Sequence, residues 1–526
     1  MKIRSSLGAL LVFSLMTSLV AQTVRPVFPV KRVESPDTWR ADGWSAIDAA
    51  KRLKVRNGKA KNVILFLGDG LGVSTMTAAR IFEGQLRGES GEENRLSWEE
   101  FPYTALSKTY SANQQNSDSA PTMSAIVTGV KTDQEVLSVD QGIVHGDYKT
   151  VAGHEAKTIL EYAEESGRAT GVVTTTRLTH ATPGACYSHT ADRDWESDAD
   201  IAKRSREAYD ANFPDLARQL IEFKYGDGLE VAFGGGTPKF LPKDKGGERL
   251  DGRDLTAEWT AKRPGSQFVS SRAQMMELDP KRTRHALGLF DASHMAFNRD
   301  RIDKQLDEPS LPEMTTKAID ILSQNKKGFF LMVEGGRIDQ AHHYGNAYRA
   351  LSEAVEFSNA VRAALTKVDL DDTLVVVTAD HSHTLTMIGY SARGNNILGL
   401  VRPVGKDGEP SANYSRDLLG LPYTTLHYSS GRGYEGASDK APEGPKFYPH
   451  EPKTFRPANG RSDLRKIDTT DPNYLQEVEV PLADETHGGE DVPIFATGVG
   501  AHLVHGSMEE NWIFYVMADA MRVARR

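Results

Sequence analysis

The sequence predicts an α/β fold of three layers, α/β/α, around a central, largely parallel sheet. Short β-branched or apolar runs such as "NVILFLGDG" and "DTLVVVTADHSH" are continuous, which is typical of strands buried on both faces. Helical patterns alternate with these runs, and such alternation is typical of a doubly wound sheet. The 526-residue chain is long enough to form one large domain of this kind with insertions.

The predicted strands lead to polar side chains at their ends. The first strand is expected at about Val63 to Leu67 and leads to Asp69. Three later strands lie in "GVVTTTRLTHATP", "GFFLMVEGGRID" and "DTLVVVTADHSH". The carboxyl ends of parallel strands meet at one edge of the sheet, and such sheets bind ligands there. The residues that the later strands bring to this edge are His180, Thr182, Glu334, Asp339, Asp380, His381 and His383.

The longest helical pattern and one irregular segment define the organisation of the chain. Apolar residues keep a spacing of three and four from Ala350 to Val368, which predicts an amphipathic helix. Residues 393–480 are rich in Gly, Pro and polar residues, which indicates an irregular, crown-like insertion at the surface. We therefore expect an N-terminal segment over 22–60 and one large domain over 61–526 that contains this insertion.

The first 21 residues have the pattern of a secretory signal peptide. Lys2 and Arg4 precede an apolar run from Leu7 to Val20, and the segment ends at Ala21. Its removal takes away two positive charges and no negative ones, so the formal net charge changes from −9 to −11. We expect an exported protein, periplasmic or secreted.

Charge, hydropathy and cysteine content exclude several classes of protein. A chain this acidic disfavours binding to nucleic acid or to anionic membranes. No later apolar run approaches the ~20 residues that a membrane span needs, so no membrane anchor is expected. Cys186 is the only cysteine, so the fold must depend on its core and on metals instead of disulfides.

Three carboxylates and three imidazoles predict a metal centre at this edge of the sheet. Mixed oxygen and nitrogen ligands suit zinc, and a helix that starts after "GGRI", which ends at Ile338, would place Asp339 and His343 on one face because they are four residues apart. Glu334 and Thr182 offer only oxygen ligands, which together with Asp69 suit magnesium. Singly, such residues are more often turn or surface residues, but their convergence favours a metal site. The six candidate zinc ligands are Asp69, Asp339, His343, Asp380, His381 and His487.

Ser119 lies in "SDSAPTMSAIVTGVKT", just before a helix-like apolar run. Asp or Ser ahead of a helix that starts with Pro is an ordinary N-cap, so the simplest interpretation of Ser119 is a cap. The alternative is a nucleophile. A serine hydroxyl is weak at its free pKa, but coordination to zinc can ionise it without a histidine base.

Six blocks of the sequence resemble, in the same order, those of the alkaline phosphatases. They are "VILFLGDGLGVST", "DSAPT", "TTTRLTHATP", "GFFLMVEGGRIDQAHH", "TADHSH" and "ETHGGEDVPIFATG". The resemblance covers about residues 61–524, and it implies a three-layer α/β catalytic domain, a homodimer, and two zinc ions and one magnesium ion per chain. The ligands that it implies are Asp339, His343 and His487 for the first zinc; Asp69, Asp380 and His381 for the second; and Asp69, Thr182 and Glu334 for magnesium.

The resemblance also implies the reaction. Small-molecule phosphate monoesters would be hydrolysed to an alcohol and inorganic phosphate through a phosphoserine on Ser119. Arg193 in "HTADRDW" would bind two phosphate oxygens, a bidentate geometry that lysine does not offer. The alternative for Arg193 is a surface ion pair with Asp192 or Asp194. The expected neighbours of these groups that are not direct ligands are His180, Gln340 and His383.

The sequence departs from the family at two positions. Gln340 stands where relatives often have His or Lys near the phosphate, which leaves phosphate affinity open. His180 stands where some relatives use Asp to hold the waters of magnesium. Relatives with a calcium site use acids near "GLFDASHMAFNRDRIDKQLDEPS", where Asp291 and either Asp307 or Glu308 are the candidates.

Three rival functions are weighed against a phosphomonoesterase. Sulfatases of the same superfamily use a C/S-x-P-x-R pattern, and Ser119 and Pro121 fit it, but Met123 stands in place of the arginine. A phosphodiesterase fits less well, because an arginine that grips two oxygens beside a third metal suits a dianionic monoester. A non-catalytic exported protein that binds metal or phosphate would need the same ligands, but not Ser119.

Overall fold

A computed structural model describes residues 27–524 of the chain. The predicted signal peptide, residues 1–21, lies outside this range. The strands are β1 Asn62–Leu67, β2 Tyr103–Lys108, β3 Ala169–Arg177, β4 Val231–Gly235, β5 Ser266–Val269, β6 His285–Leu289, β7 Phe329–Glu334, β8 Thr373–Thr378, β9 Ser382–His383, β10 Thr386–Met387, β11 Leu426–His427, β12 Ser430–Gly431, β13 Val480–Pro481, β14 His487–Gly488, β15 Val492–Gly498 and β16 Gly506–Glu509.

The α-helices alternate with the strands over most of the chain. They are α1 Pro36–Arg52, α2 Val73–Leu86, α3 Ser119–Thr128, α4 Ile159–Glu165, α5 Ala181–Gly184, α6 Asp198–Arg204, α7 Arg206–Asp210, α8 Leu216–Glu222, α9 Thr237–Phe240, α10 Leu255–Lys262, α11 Arg272–Glu277, α12 Asn298–Asp303, α13 Leu311–Leu322, α14 Arg337–His343, α15 Ala347–Leu365 and α16 Trp512–Met521. Within residues 27–524, no helix is both long enough and apolar enough to cross a lipid bilayer.

Ten of the described strands form one large sheet in the order β16-β2-β15-β8-β1-β7-β3-β4-β6-β5. The seven strands from β8 to β5 are parallel, with β1 at their centre between β7 and β8. β15 is antiparallel to both of its neighbours, whereas β2 and β16 pair in parallel. The prediction of a central, largely parallel sheet is therefore confirmed.

The sheet is buried on both faces, as its continuous apolar strands predict. In β1, Val63, Leu65 and Leu67 pack into one hydrophobic core, whereas Ile64 and Phe66 pack into another. Helices α3, α4 and α16 contribute to the first core, and α2, α13 and α15 contribute to the second. Because the residues of a strand point alternately to its two faces, the two cores lie on opposite sides of the sheet. The three-layer α/β/α prediction is confirmed.

Two predicted helix boundaries differ from the structure. The amphipathic pattern predicts a helix to Val368, but α15 ends at Leu365, with Thr366 as its C-cap. Val368 nevertheless packs against the core, so the apolar pattern continues beyond the end of the helix. Helix α14 begins at Arg337 and not after Ile338, and it carries Asp339 and His343 one turn apart, as expected.

Within the described chain, residues 393–480 contain no α-helix and form short strands, turns and one 3₁₀ helix, Leu464–Lys466. The segment packs close to α14, because the Tyr428 hydroxyl lies 2.6 Å from His342 Nδ1. The backbone N–H of Gln476 donates to the carbonyl of Gly345 at 3.0 Å. The domain boundaries at 22, 61, 393 and 480 remain predictions.

Candidate active site

Ser119 is the first residue of α3, and its neighbour Asp118 is the N-cap. The Asp118 carboxylate accepts a hydrogen bond from the Ala120 N–H at 2.9 Å. The cap interpretation therefore applies to Asp118 and is wrong for Ser119. The Ser119 hydroxyl instead lies 3.1 Å from His381 Nε2 and 3.4 Å from Asp69 Oδ1. A helix N-terminus also offers free N–H groups and a partial positive charge, which favour an anion at this position.

The first group of ligand atoms consists of Asp339, His343 and His487. The Nε2 atoms of the two histidines lie 3.2 Å apart. They lie 3.2 Å (His343) and 3.4 Å (His487) from Asp339 Oδ1. Helix α14 supplies two of these side chains, and the pairing of β14 with β9 brings the third beside them.

The protonation of both imidazoles suits a cation at this position. His343 Nδ1–H donates to the Glu485 carbonyl at 2.6 Å, and His487 Nδ1–H donates to the Ser117 carbonyl at 2.8 Å. In the neutral rings, each Nε2 therefore presents a lone pair toward the other and toward Asp339. Tetrahedral zinc, with bonds of about 2.0–2.1 Å, needs ligand atoms about 3.3 Å apart. The three atoms fit that requirement.

The second group consists of Asp69, Asp380 and His381, all of which are fully buried. His381 Nε2 lies 3.4 Å from Asp69 Oδ1 and 3.5 Å from Asp380 Oδ2. Asp380 Oδ2 is buried and has no hydrogen-bond partner among the described residues. Burial raises the pKa of Asp380 to about 7, and the Asp339 carboxylate adds to the rise. A bound cation would satisfy this unpartnered oxygen and offset the repulsion between the carboxylates.

The third group consists of Asp69, Thr182 and Glu334. The Thr182 hydroxyl lies 3.4 Å from Asp69 Oδ2. Glu334 Oε2 accepts hydrogen bonds from Thr174 and Thr176, whereas Oε1 is buried and without a partner in the part of the chain that the structure describes. Burial, opposed by the bond from Thr174, raises the pKa of Glu334 to about 7. An all-oxygen set with one unpartnered carboxylate oxygen fits magnesium.

His180 and Arg193 lie beside this third group. A ligand atom of His180 is within 4.8 Å of ligand atoms of Asp69 and Glu334. Its Nε2 lies 3.3 Å from Arg193 Nη2. Arg193 Nη1 donates to Asp118 at 2.9 Å, so the alternative interpretation, a surface ion pair with Asp192 or Asp194, is wrong. Arg193 is thus held next to Ser119 by the residue that caps α3.

His383 and Glu485 support the first group from behind. His383 Nε2 lies 2.8 Å from Asp339 Oδ1, and its Nδ1 contacts the Glu485 carboxylate. Burial alone would lower the pKa of His383, but Glu485 and Asp339 raise it to about 10. Glu485 also accepts from the backbone N–H of Thr384 at 2.7 Å. Glu485 could not be predicted from the sequence, because its partner His383 lies 102 residues away and no local pattern indicates the pair.

Gln340 turns toward His294 and Arg337, which no sequence motif indicates. Its side-chain amide lies 2.9 Å from His294 Nδ1 and accepts a hydrogen bond from Arg337. His294 also receives a hydrogen bond from Arg177 at 2.5 Å. These residues form a cluster at the edge of the candidate site, and neither "DASHMAF" nor "GGRID" carries a local signal for it.

The structure separates the two candidate acids for a calcium site. Burial raises the pKa of Glu308 to about 7, and the neighbouring Asp291 carboxyl contributes to the rise. Asp307 instead accepts a hydrogen bond from the Ala273 N–H at 3.1 Å. Asp291 and Glu308 therefore lie together, whereas Asp307 caps a different segment.

Comparisons with known proteins agree with this geometry. The family model described as alkaline phosphatase matches residues 60–523. The chain is 41% identical over 508 residues to the tissue-nonspecific isozyme of alkaline phosphatase from Rattus norvegicus, covering 94% of this chain and 90% of the relative. It is 40% identical over 507 residues to an alkaline phosphatase from Gadus morhua, covering 94% of this chain and 98% of the relative.

Solved structures share the fold. The crystal structure of Thermus thermophilus alkaline phosphatase superposes with a TM-score of 0.63 at 23% identity, covering 91% of this chain and 94% of that one. Alkaline phosphatase from the Antarctic bacterium TAB5 gives a TM-score of 0.56 at 21% identity, covering 90% of this chain and 100% of that one. At these identities the likeness supports the fold alone.

Proposed function

This chain belongs to the alkaline phosphatase family, and on that premise we propose that it hydrolyses phosphate monoesters through a phosphoserine on Ser119. The observation that carries the proposal is the position of the Ser119 hydroxyl, 3.1 Å from His381 Nε2 and 3.4 Å from Asp69 Oδ1. Asp69 contributes to two of the three groups of ligand atoms, so the hydroxyl lies where those groups meet.

The donor sets indicate which cation each group would hold. Asp339, His343 and His487 would hold one zinc ion. A second zinc ion would be held by Asp69, Asp380 and His381, and magnesium by Asp69, Thr182 and Glu334. When bound, these cations would act as Lewis acids that stabilise negative charge on the reacting oxygens and lower the pKa of the serine hydroxyl.

The protein's own residues would bind and orient the substrate. Arg193 would grip two non-bridging phosphate oxygens bidentately, and Asp118 would fix its guanidinium in place. The first N–H groups of α3 would face the same phosphoryl group. Ser119 Oγ would then attack phosphorus in line with the departing alcohol, and water would later release phosphate from the phosphoserine.

Three further parts of the account are proposals. We infer a homodimer, export to the periplasm or the exterior, and a catalytic unit over 61–526 with 393–480 as an insertion. Light scattering on the purified protein measures its oligomeric state. N-terminal sequencing of the exported protein would start at residue 22 if the signal peptide is cleaved after Ala21.

The proposal is tested with Ser119→Ala, loaded with zinc and magnesium, on a chromogenic aryl phosphate. We expect a fall in turnover of about 10³-fold or more, because the nucleophile is lost. Ser117→Ala is a matched control, since Ser117 is equally buried but its hydroxyl turns to the Asp118 carbonyl at 3.2 Å. It should keep turnover within about threefold of wild type.

The outcomes separate enzyme from binding protein. Chelation of the wild type should abolish turnover, and zinc with magnesium should restore it. Near wild-type turnover by Ser119→Ala would show that Ser119 is not the nucleophile. A metal-loaded wild type without turnover would favour a protein that only binds metal or phosphate.

A further inference from the structure

Helix α14 carries a second polar face beside the proposed ligands Asp339 and His343. Arg337 and Gln340 are three residues apart and therefore lie on one face of this helix. Arg337 donates to the Gln340 side chain, and its guanidinium stacks 3.6 Å above the centre of the Phe297 ring. Both polar side chains are partly exposed, so this face is open to solvent.

Arg337 forms no direct ion pair in the part of the chain that the structure describes. Arg177 pairs with Glu196 at 2.6 Å, and Arg193 pairs with Asp118 at 2.9 Å. In contrast, the carboxylates of Glu353 and Asp291 act on Arg337 only from beyond ion-pair distance, and its buried Nε has no hydrogen-bond partner among residues 27–524. A half-buried guanidinium without a direct ion pair can gain a charge-assisted hydrogen bond when an anion binds to it.

A row of contacts connects Arg337 to the proposed phosphate site. Arg193 Nη2 lies 3.3 Å from His180 Nε2, and the His180 and His294 rings lie 5.3 Å apart. His294 Nδ1 lies 2.9 Å from the Gln340 amide, which contacts Arg337. Arg337 is therefore the one arginine of this row that forms no direct ion pair in the described chain.

We propose that Arg337, with Gln340 and His294, forms a second anion subsite for the leaving group of the substrate. The preferred substrates would then be phosphate monoesters whose alcohol carries another anionic group, a carboxylate or a second phosphate. This inference rests on the proposed function. It adds a specificity-determining residue that takes no part in the bond-making step.

The geometry of in-line transfer places the leaving group on the correct side. Ser119 lies against the group formed by Asp69, Asp380 and His381, so the departing alcohol faces Asp339 and His343 on α14. The same helix carries Arg337. A planar guanidinium whose plane is fixed by stacking on Phe297 can hold a carboxylate or phosphate through two parallel N–H groups.

Two substrates that differ in one group test the proposal. 3-Phosphoglycerate carries a carboxylate where glycerol 3-phosphate carries a hydroxymethyl group. We measure the ratio of their kcat/KM values, carboxylate substrate over neutral one, for the metal-loaded wild type and Arg337→Ala. The ratio should fall about tenfold or more in the variant, because a hydrogen-bonded charge pair is lost. Arg337→Lys, which keeps the charge, should retain part of the preference.

A control and a second variant keep the test decisive. Arg299→Ala removes an arginine on nearby α12 that pairs with Asp303 at 2.7 Å, and it should leave the ratio unchanged. Should Arg337→Ala not fold, Arg337→Gln removes the charge while it retains hydrogen-bonding groups, and the same fall is expected.

The failure of each proposal has its own signature. If Arg337→Ala lowers kcat/KM equally for both substrates, or not at all, Arg337 has only a structural role and the subsite is wrong. In that case turnover of the aryl phosphate still supports the proposed function. If the wild type hydrolyses neither the aryl phosphate nor 3-phosphoglycerate nor glycerol 3-phosphate, both the proposed function and the subsite are wrong.

Discussion

His383→Gln tests whether the side chains behind the first ligand group control its affinity for zinc. His383 is fully buried and joins Asp339, at 2.8 Å from Nε2, to the Glu485 carboxylate on Nδ1. Glutamine offers one N–H side where the imidazolium offers two. The carbonyl oxygen of the glutamine would therefore face either the Asp339 or the Glu485 carboxylate. In the first orientation Asp339 would lose its fixed position, and in the second Glu485 would lose this hydrogen-bond partner.

The structure sets the expected size of two effects. Loss of a partner that orients a metal ligand typically weakens the affinity for the metal by about 10–100-fold, or about 1.4–2.8 kcal/mol. Removal of one member of a buried ion pair typically costs about 3–5 kcal/mol of folding free energy. Glu485 keeps its hydrogen bonds from the N–H and hydroxyl of Thr384, so the lower end of that range is expected.

The assay combines zinc titration in a chelator-buffered series with urea unfolding of the metal-free protein. His342→Gln is the matched control, because its ring stacks on His383 at 4.7 Å but contacts Thr75 and Tyr428 instead of Asp339. It should lose stability and keep its zinc affinity within about threefold. Wild-type zinc affinity in His383→Gln would refute the reasoning.

Two further predictions concern phosphate binding and pH. Arg193→Lys should weaken competitive inhibition by inorganic phosphate and lower kcat/KM by about 10²-fold, because lysine binds without the bidentate fork. Burial, with a contribution from Asp227, raises the pKa of Glu164 to about 7 from 4.5, so folded Glu164 keeps its proton where the unfolded chain has lost it. The stability that this retained proton gives the folded state is therefore lost as the pH rises from about 4.5 to 7. The free energy of unfolding of the wild type should fall between pH 5 and pH 8, and in Glu164→Gln that fall should be about 2–3 kcal/mol smaller, as measured by urea unfolding.

Each of these two predictions has a matched control. Arg204→Lys changes an exposed arginine that pairs with Asp194, and phosphate inhibition should stay unchanged. Unaltered phosphate affinity in Arg193→Lys would contradict the assigned role. Glu165→Gln changes the exposed neighbour of Glu164 and should keep the wild-type pH dependence. The same pH dependence in Glu164→Gln would show that this carboxyl ionises normally.

The sequence predicts the fold where one physical cause dominates. The apolar continuity of β1 and β8 reports burial on both faces, and the parallel sheet follows from it. The four-residue spacing of Asp339 and His343 specifies one helix face. The predicted helix end at Val368 is wrong, because apolar periodicity indicates contact with the core and does not mark the end of a helix.

Contacts between distant segments could not be predicted. Asp118 and Ser119 are equally good caps by residue type, and only the folded chain shows which side chain turns to the helix. Glu485 meets His383 through the pairing of β14 with β9. Arg337 differs from Arg177 and Arg193 in having no direct ion pair in the described chain, a property that no linear pattern encodes.

The most direct test of the central claim is the position of the covalent phosphate. The metal-loaded protein is mixed with substrate, quenched in acid and digested with trypsin, and the peptide of residues 109–131 is fragmented in a mass spectrometer. This peptide also contains Ser111, Ser117 and Ser124, which serve as internal controls. We predict a single phosphate on Ser119, absent from Ser119→Ala. Phosphate on another residue, or turnover without any covalent phosphate, would contradict the account.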